Sequence, residues 1–147
     1  MDFSRSKFLR WTAIILRVAL GAIFVYAAWI KLRDPWELFA MGIDSYGVLP
    51  LKAVEFVART LPWLELVVGG MLIGGRWLRL ATGITSLLLA VFFGLMIRAY
   101  AKGMEINCGC FGPGETISWR TLLRDGSMLA GSLFLTWMAL RRPRRAA

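Results

Sequence analysis

Cys108 and Cys110 are the two cysteines of this 147-residue chain, and a single glycine separates them. They lie in Lys102-Gly-Met-Glu-Ile-Asn-Cys-Gly-Cys-Phe-Gly-Pro-Gly-Glu115, whose glycines and proline read as a loop. Sulfurs so placed bond to each other or to another molecule. Joining them at about 2.05 Å needs an unusual backbone, which Gly109 permits. Such a bond is strained, hence relatively oxidising and readily exchanged. As a staple it gains little, because loop-closure stabilisation grows with the residues enclosed. The pair therefore reads as a redox disulfide. Two alternatives stand beside it: an inert structural bridge, and a Cu(I) site in which Met104 joins the two thiolates. Against copper, the chain has no second cluster of soft ligands. Arg98 and Lys102 lie near enough in sequence to favour a thiolate, while Glu105 opposes it.

Histidine is absent. That removes His-ligated haem, most catalytic zinc sites and the Ser-His and Cys-His nucleophile pairs. Proton chemistry is left to Asp, Glu, Tyr or thiol. Two charges inside apolar runs are candidates to assist the sulfurs: Glu65, about a turn into one run, and Arg98, near the far end of the next. An ionisable group within a membrane span is costly and normally faces protein or a water-filled cavity. Glu65 and Arg98 sit at similar depth, which suits an ion pair across the bundle, and Glu65 suits the proton that accompanies dithiol oxidation. A structural pair that fixes helix register is the plainer alternative. Arg17 reads as a side chain snorkelling toward the opposite surface.

The elements that must position these groups are apolar. Hydrophobic residues make up 58% of the chain and mean hydropathy is +0.61, more than a soluble core of this size hides. The reading is all-α, a single four-transmembrane-helix bundle with spans near 11–30, 61–75, 80–100 and 122–140 and loops over 31–60 and 101–121. The spans approach the length that crosses a hydrocarbon core of about 30 Å. The first exceeds the apolar region of a signal peptide, about 7–15 residues, and Trp29-Ile30-Lys31 is a poor cleavage end, so it reads as a retained helix. In the first loop, Asp34-Pro35, Gly42, Gly47 and Pro50 argue for a folded loop or short interfacial helices, with Trp36, Phe39, Tyr46 and Phe56 at headgroup depth. Pro62 suits a helix start. If Ala53 to Arg59 is already helical, the helix runs on or kinks there. Arg124 and Asp125 mar the fourth run, so its first turn belongs in the interface or against protein. Gly69-Gly70 and Gly74-Gly75 suit close helix approach. Phe92, Phe93 and Met96 read as packing, with a cleft for a quinone ring as the alternative.

Eighteen Lys and Arg against nine Asp and Glu give a net charge of +9. In a soluble chain that excess suggests nucleic acid. Here the bases flank apolar runs, so the partner is the lipid bilayer and no nucleic acid is expected. Arg5, Lys7 and Arg10, then Arg76 and Arg79, then the tail Arg141-Arg-Pro-Arg-Arg145 fall on one side, with Asp2 as the acid among them. The loops of the other side balance bases with acids. Both termini should therefore be cytoplasmic, with loops 31–60 and 101–121 facing the periplasm or cell exterior. The Arg-rich tail ends the last helix and anchors to anionic lipid.

Arg17, Lys31-Leu-Arg-Asp-Pro35, Tyr46-Gly-Val-Leu-Pro50, Leu61-Pro-Trp-Leu-Glu65, Lys102-Gly103 and above all Cys108-Gly-Cys-Phe-Gly112 resemble the methylamine utilisation protein MauE family. That family lies within the wider DoxX-like group of small four-helix membrane proteins, and the resemblance runs from about Arg17 to Asp125. It implies a multi-pass protein of the bacterial cytoplasmic (inner) membrane. It also implies a role in methylamine metabolism, through disulfide formation in, or maturation of, the exported methylamine dehydrogenase small subunit. The combined expectation is a thiol-disulfide redox protein in which Cys108 and Cys110 accept electrons from an exported thiol protein or thioredoxin-like partner. Glu65 and Arg98 support the pair, a membrane quinone or partner protein reoxidises it, and no metal site is assigned. The alternative is a non-enzymatic assembly factor or a Cu(I)-handling membrane protein.

Overall fold

The computed structural model describes residues 2–111 and 114–141. Gly112 and Pro113 of the cysteine loop and Arg142 to Arg145 of the basic tail lie outside the described residues. The architecture is all-helical. It comprises α1 (Asp2–Arg33), α2 (Trp36–Asp44), α3 (Leu51–Gly74), α4 (Leu78–Ala101) and α5 (Trp119–Arg141).

Proline and glycine set the boundaries. Asp34-Pro35 ends α1, and Pro35 and Pro50 stand as the residues before α2 and α3 with extended ψ of 132° and 153°. α2 is short and amphipathic, burying Phe39 and Ile43 against Val54, Ala58 and Leu61 of α3. Pro62 does not start α3; it is buried inside the helix, which begins at Leu51. A proline interior to a helix removes one backbone bond, and here both sides of it, Ala58, Leu61 and Glu65, pack into protein. Loop 31–60 is therefore mostly helix. Gly75 at φ 71° and Trp77 at φ 50° form a tight left-handed turn from α3 into α4. The Arg17 side chain lies against Gly75, where an added Cβ would come within 2.9 Å of the guanidinium.

α1 packs along α3 and α4 along α5. The first contact rests on two small residues. A Cβ added at Gly21 would stand 2.8 Å from the Gly69 carbonyl oxygen, and one at Gly69 2.8 Å from that of Gly21. The backbones touch there, as small-residue interfaces in membranes allow. Gly70 and Gly74 face open space and take no part. Ala13, Leu20, Phe24, Val68, Leu72, Ala81, Leu89 and Leu135 fill the shared core. Between α4 and α5 the Ser86 hydroxyl donates to Ser132 Oγ at 3.1 Å and lies 3.0 Å from Thr136 Oγ1.

Buried polar groups and an apolar exterior set this molecule apart from a soluble bundle. Ile15, Trp29, Val67, Leu87, Val91 and Leu133 are exposed, while Lys31, Glu65, Thr85, Asp125 and Ser132 are buried. Three helices, Ser6–Arg33, Leu51–Gly74 and Leu78–Ala101, are long and apolar enough to cross a membrane. α5 has the length but carries Arg120, Arg124, Asp125, Ser127, Ser132 and Thr136, which lower its hydropathy.

Candidate functional site

The loop between α4 and α5 is a closed hairpin. Met104 N–H donates to Ala99 O as α4 ends, with Gly103 in the left-handed region at φ 66°. Asn107 and Thr116 form an antiparallel bridge, flanked by Cys108 N–H to Glu115 O at 2.8 Å and Ile117 N–H to Ile106 O at 3.1 Å. At the other end, Ser118 and Thr121 cap α5 reciprocally, with Ser118 N–H to Thr121 Oγ1 at 2.8 Å and Thr121 N–H to Ser118 Oγ at 3.4 Å. Gly109 adopts φ 73°, with Phe39 as its nearest neighbour at 3.8 Å from a would-be Cβ. The conformation, and not lack of space, calls for glycine there.

Both cysteines are free thiols. Cys108 is fully buried, and Cys110 is partly buried. Each sulfur faces a carboxylate: Cys108 Sγ is 3.4 Å from Glu115 Oε2, and Cys110 Sγ is 3.9 Å from Asp125 Oδ2. Arg124 ties the two carboxylates together, donating through Nη1 to Glu115 at 2.6 Å and through Nε to Asp125 at 2.9 Å. Its guanidinium lies 4.7 Å from the Phe111 ring centre. The buried Tyr46 hydroxyl donates to the Cys108 carbonyl at 3.1 Å, which pins the hairpin to the end of α2.

The two thiols are electrostatically unlike. A hydrogen bond from Cys110 holds the Cys108 thiol below its usual value, against burial and Glu115. The same hydrogen bond to Cys108, together with burial and the negative charges of Cys108 and Asp125, drives the Cys110 thiol far up. Of the two, Cys108 is the sulfur that gives up its proton more readily, and Cys110 Sγ lies 3.9 Å from the Cys108 carbonyl oxygen. Tyr46 is also raised, first by burial and then by the neighbouring sulfurs, so its hydroxyl stays a donor.

Beneath the pair lies a second charged group. Lys31 Nζ donates to both oxygens of Glu65, at 2.7 and 2.9 Å, with the Phe39 ring centre 4.8 Å away. Glu65 is thus paired with Lys31, not with Arg98. The reason is reach from the end of α1, whereas Arg98 is exposed on α4 and lines a small cavity with Tyr46, Leu95 and Met104. A cavity of about 40 Å³ joins Glu65 and Lys31 to Cys110, Phe111 and Asp125, walled by Phe92 and Phe93. An apolar cavity of about 150 Å³ takes a benzene ring, so this one has room for water and none for a quinone ring. Met96 is fully buried packing. On the outer side, a cleft of about 340 Å³ runs between α2 and the hairpin, lined by Lys31, Asp34, Phe39, Glu105, Asn107 and Gly109.

Sequence reasoning brought together the cysteines and Glu65 and missed Lys31, Glu115 and Tyr46. The sequence sets the turn carrying Arg124 and Asp125 in the interface or against protein, and Asp125 is buried, but their link to the sulfurs is not read from it. Charges one turn inside a span are the signal that marks them, because such groups must face protein.

The class is a helical membrane protein with three helices long and apolar enough to cross a bilayer and a Cys-Gly-Cys hairpin packed beside a buried ion pair. Residues 9–138 match the family model "Methylamine utilisation protein MauE", and the chain belongs to that family. It is 32% identical over 142 residues to the methylamine utilization protein MauE of Paracoccus denitrificans, covering 95% of this chain and 70% of the relative. No solved structure matches the chain.

Proposed function

We propose that this protein is a membrane thiol-disulfide exchange protein that oxidises the dithiol of an exported partner. The observation that carries the reading is the unequal pair: a buried, stabilised Cys108 sulfur beside a more accessible, proton-holding Cys110. In the oxidised protein a partner thiolate attacks Cys110 Sγ, the Cys108–Cys110 bond breaks, and Cys108 leaves as a thiolate. A lower leaving-group pKa speeds that step. A second partner thiolate then attacks the partner sulfur of the mixed disulfide, which closes the partner's disulfide and releases Cys110 to take a proton. Two electrons pass from partner to Cys pair; one partner proton ends on Cys110 and the other goes to solution. The same exchange run backward against the disulfide of a thioredoxin-like partner restores the Cys108–Cys110 bond.

In this reading α5 is the fourth span. Leu123, Leu133, Trp137 and Leu140 give it an apolar outer face, and Asp125 and Ser132 face inward. The charge pattern supports a topology with both termini in the cytoplasm and the hairpin, with α2, on the exterior face of the bacterial inner membrane. The relative's name supports a client in methylamine utilisation, and maturation of an exported methylamine dehydrogenase subunit is the reading we adopt. Glu65 assists through the cavity it shares with Cys110, while Arg98, exposed on α4, is not its ion-pair partner.

The test is to trap the client. Cells carrying Cys108→Ser, quenched in acid and alkylated, should yield an exported protein bound by a reducible bond to Cys110. Cys110→Ser should yield far less, because Cys108 is fully buried. An equal adduct on Cys108, or none on either variant, contradicts the proposal.

A further inference from the structure

The exchange reaction moves a proton to and from Cys110, and the fold offers a defined route for it. Cys110 borders the inner cavity of about 40 Å³ together with Asp125, Lys31 and Glu65. A buried site needs about 10–15 Å³ and two to four polar partners to hold a water molecule, and this cavity meets both conditions. The outer cleft of about 340 Å³ lies beyond it, and Lys31 is the residue that lines both. Its ammonium is clamped by the two oxygens of Glu65 at 2.7 and 2.9 Å and backed by the Phe39 and Phe92 rings at 4.8 and 6.0 Å. A buried ion pair with a cavity on each side is more than a staple between α1 and α3. Ionisable groups inside membrane bundles commonly serve as proton relays.

From this juxtaposition we propose that the Lys31–Glu65 pair is a proton gate: it passes the Cys110 proton between the inner cavity and the outer cleft. This rests on the exchange reading above. When Cys110 leaves as a thiolate, a proton enters from the cleft by way of Lys31, Glu65 and water in the inner cavity. When the reduced pair attacks a disulfide, the Cys110 proton leaves by the same path. No electron crosses the pair.

The experiment follows the reduced protein in detergent consuming a small aromatic disulfide, with release of the aryl thiolate read by absorbance. Lys31→Met/Glu65→Gln, which removes both charges, should slow release by about a hundredfold, the scale of positioned proton transfer. It should also acquire a solvent deuterium isotope effect, and a small weak acid such as formate should restore part of the rate. A merely structural pair would show neither the isotope effect nor the rescue. Should that variant fail to fold, Ala27→Val, which puts two methyl groups into the inner cavity and leaves both charges in place, should slow release and bring on the same isotope effect. A folded double variant, or a folded Ala27→Val, that matches the parent rate overturns the gate. A parent that releases no thiolate at all overturns the exchange reading itself.

Discussion

The Lys31–Glu65 pair is where the fold stakes most of its stability on charge. Both residues are 6% exposed, and two charge-assisted hydrogen bonds of 2.7 and 2.9 Å join them. Replacing Lys31 by Met leaves the Glu65 carboxylate buried with no cation. Breaking a buried pair from one side costs about 3–5 kcal/mol, whereas replacing both members with packed apolar groups is close to neutral. Loss of the Lys31 contact with the Phe39 ring adds roughly 0.5–2 kcal/mol. Lys31→Met and Glu65→Leu alone should therefore each lower the folded-to-unfolded ratio by at least about a hundredfold, since about 1.4 kcal/mol is tenfold. The double variant should recover most of that loss. Reversible unfolding in mixed micelles, followed by helical circular dichroism, measures all four corners of the cycle. Additive single effects, or a double variant less stable than either single, would refute the argument that the two charges are buried against each other.

Four further outcomes follow from the geometry. Gly69→Val should separate α1 from α3, because its Cβ would lie 2.8 Å from the Gly21 carbonyl; a loss of about 3 kcal/mol or more is expected in the same unfolding assay. Gly109→Ala should cost about 1–2 kcal/mol from its φ of 73° alone, read as a lowered midpoint with the thiols reduced. Arg124→Leu leaves Glu115 without its cation beside Cys108, so the Cys108 thiol should rise, read as a loss of thiolate ultraviolet absorbance at neutral pH in the reduced protein. In the parent, the Cys108 pKa is depressed, so its thiolate absorbance should persist as pH falls below the usual thiol value and be lost only through the lower folded value. Cys110, raised chiefly by its hydrogen bond to Cys108, should stay protonated over the same range while Cys108 is free.

Much of this architecture was legible because bilayers impose simple rules. Long apolar runs marked α1, α3 and α4, and the Gly-rich string around Cys108 marked the hairpin with its glycine in the left-handed region. At Pro62 the second of two readings holds: the helix is already formed before Arg59 and runs on, because a packed helix of 24 residues tolerates one missing bond. The partner of Glu65 was not legible either. Depth along two runs says which charges share a level, but rotation about each helix decides which ones meet. Arg98 points outward, and Lys31, which reads as an interfacial anchor, reaches inward. Glu115 and Asp125 needed the folded hairpin, because the bridge between Asn107 and Thr116 and the start of α5 bring them to the sulfurs.

The reduction potential of the Cys108–Cys110 pair tests the central claim most directly. Equilibrating the purified protein against dithiothreitol or glutathione buffers and counting alkylated thiols by mass gives that potential. A value within the range of exchange catalysts, roughly −120 to −270 mV, is what the account predicts. A disulfide more reducing than about −300 mV, or two cysteines that never join under oxidising buffers, would contradict it.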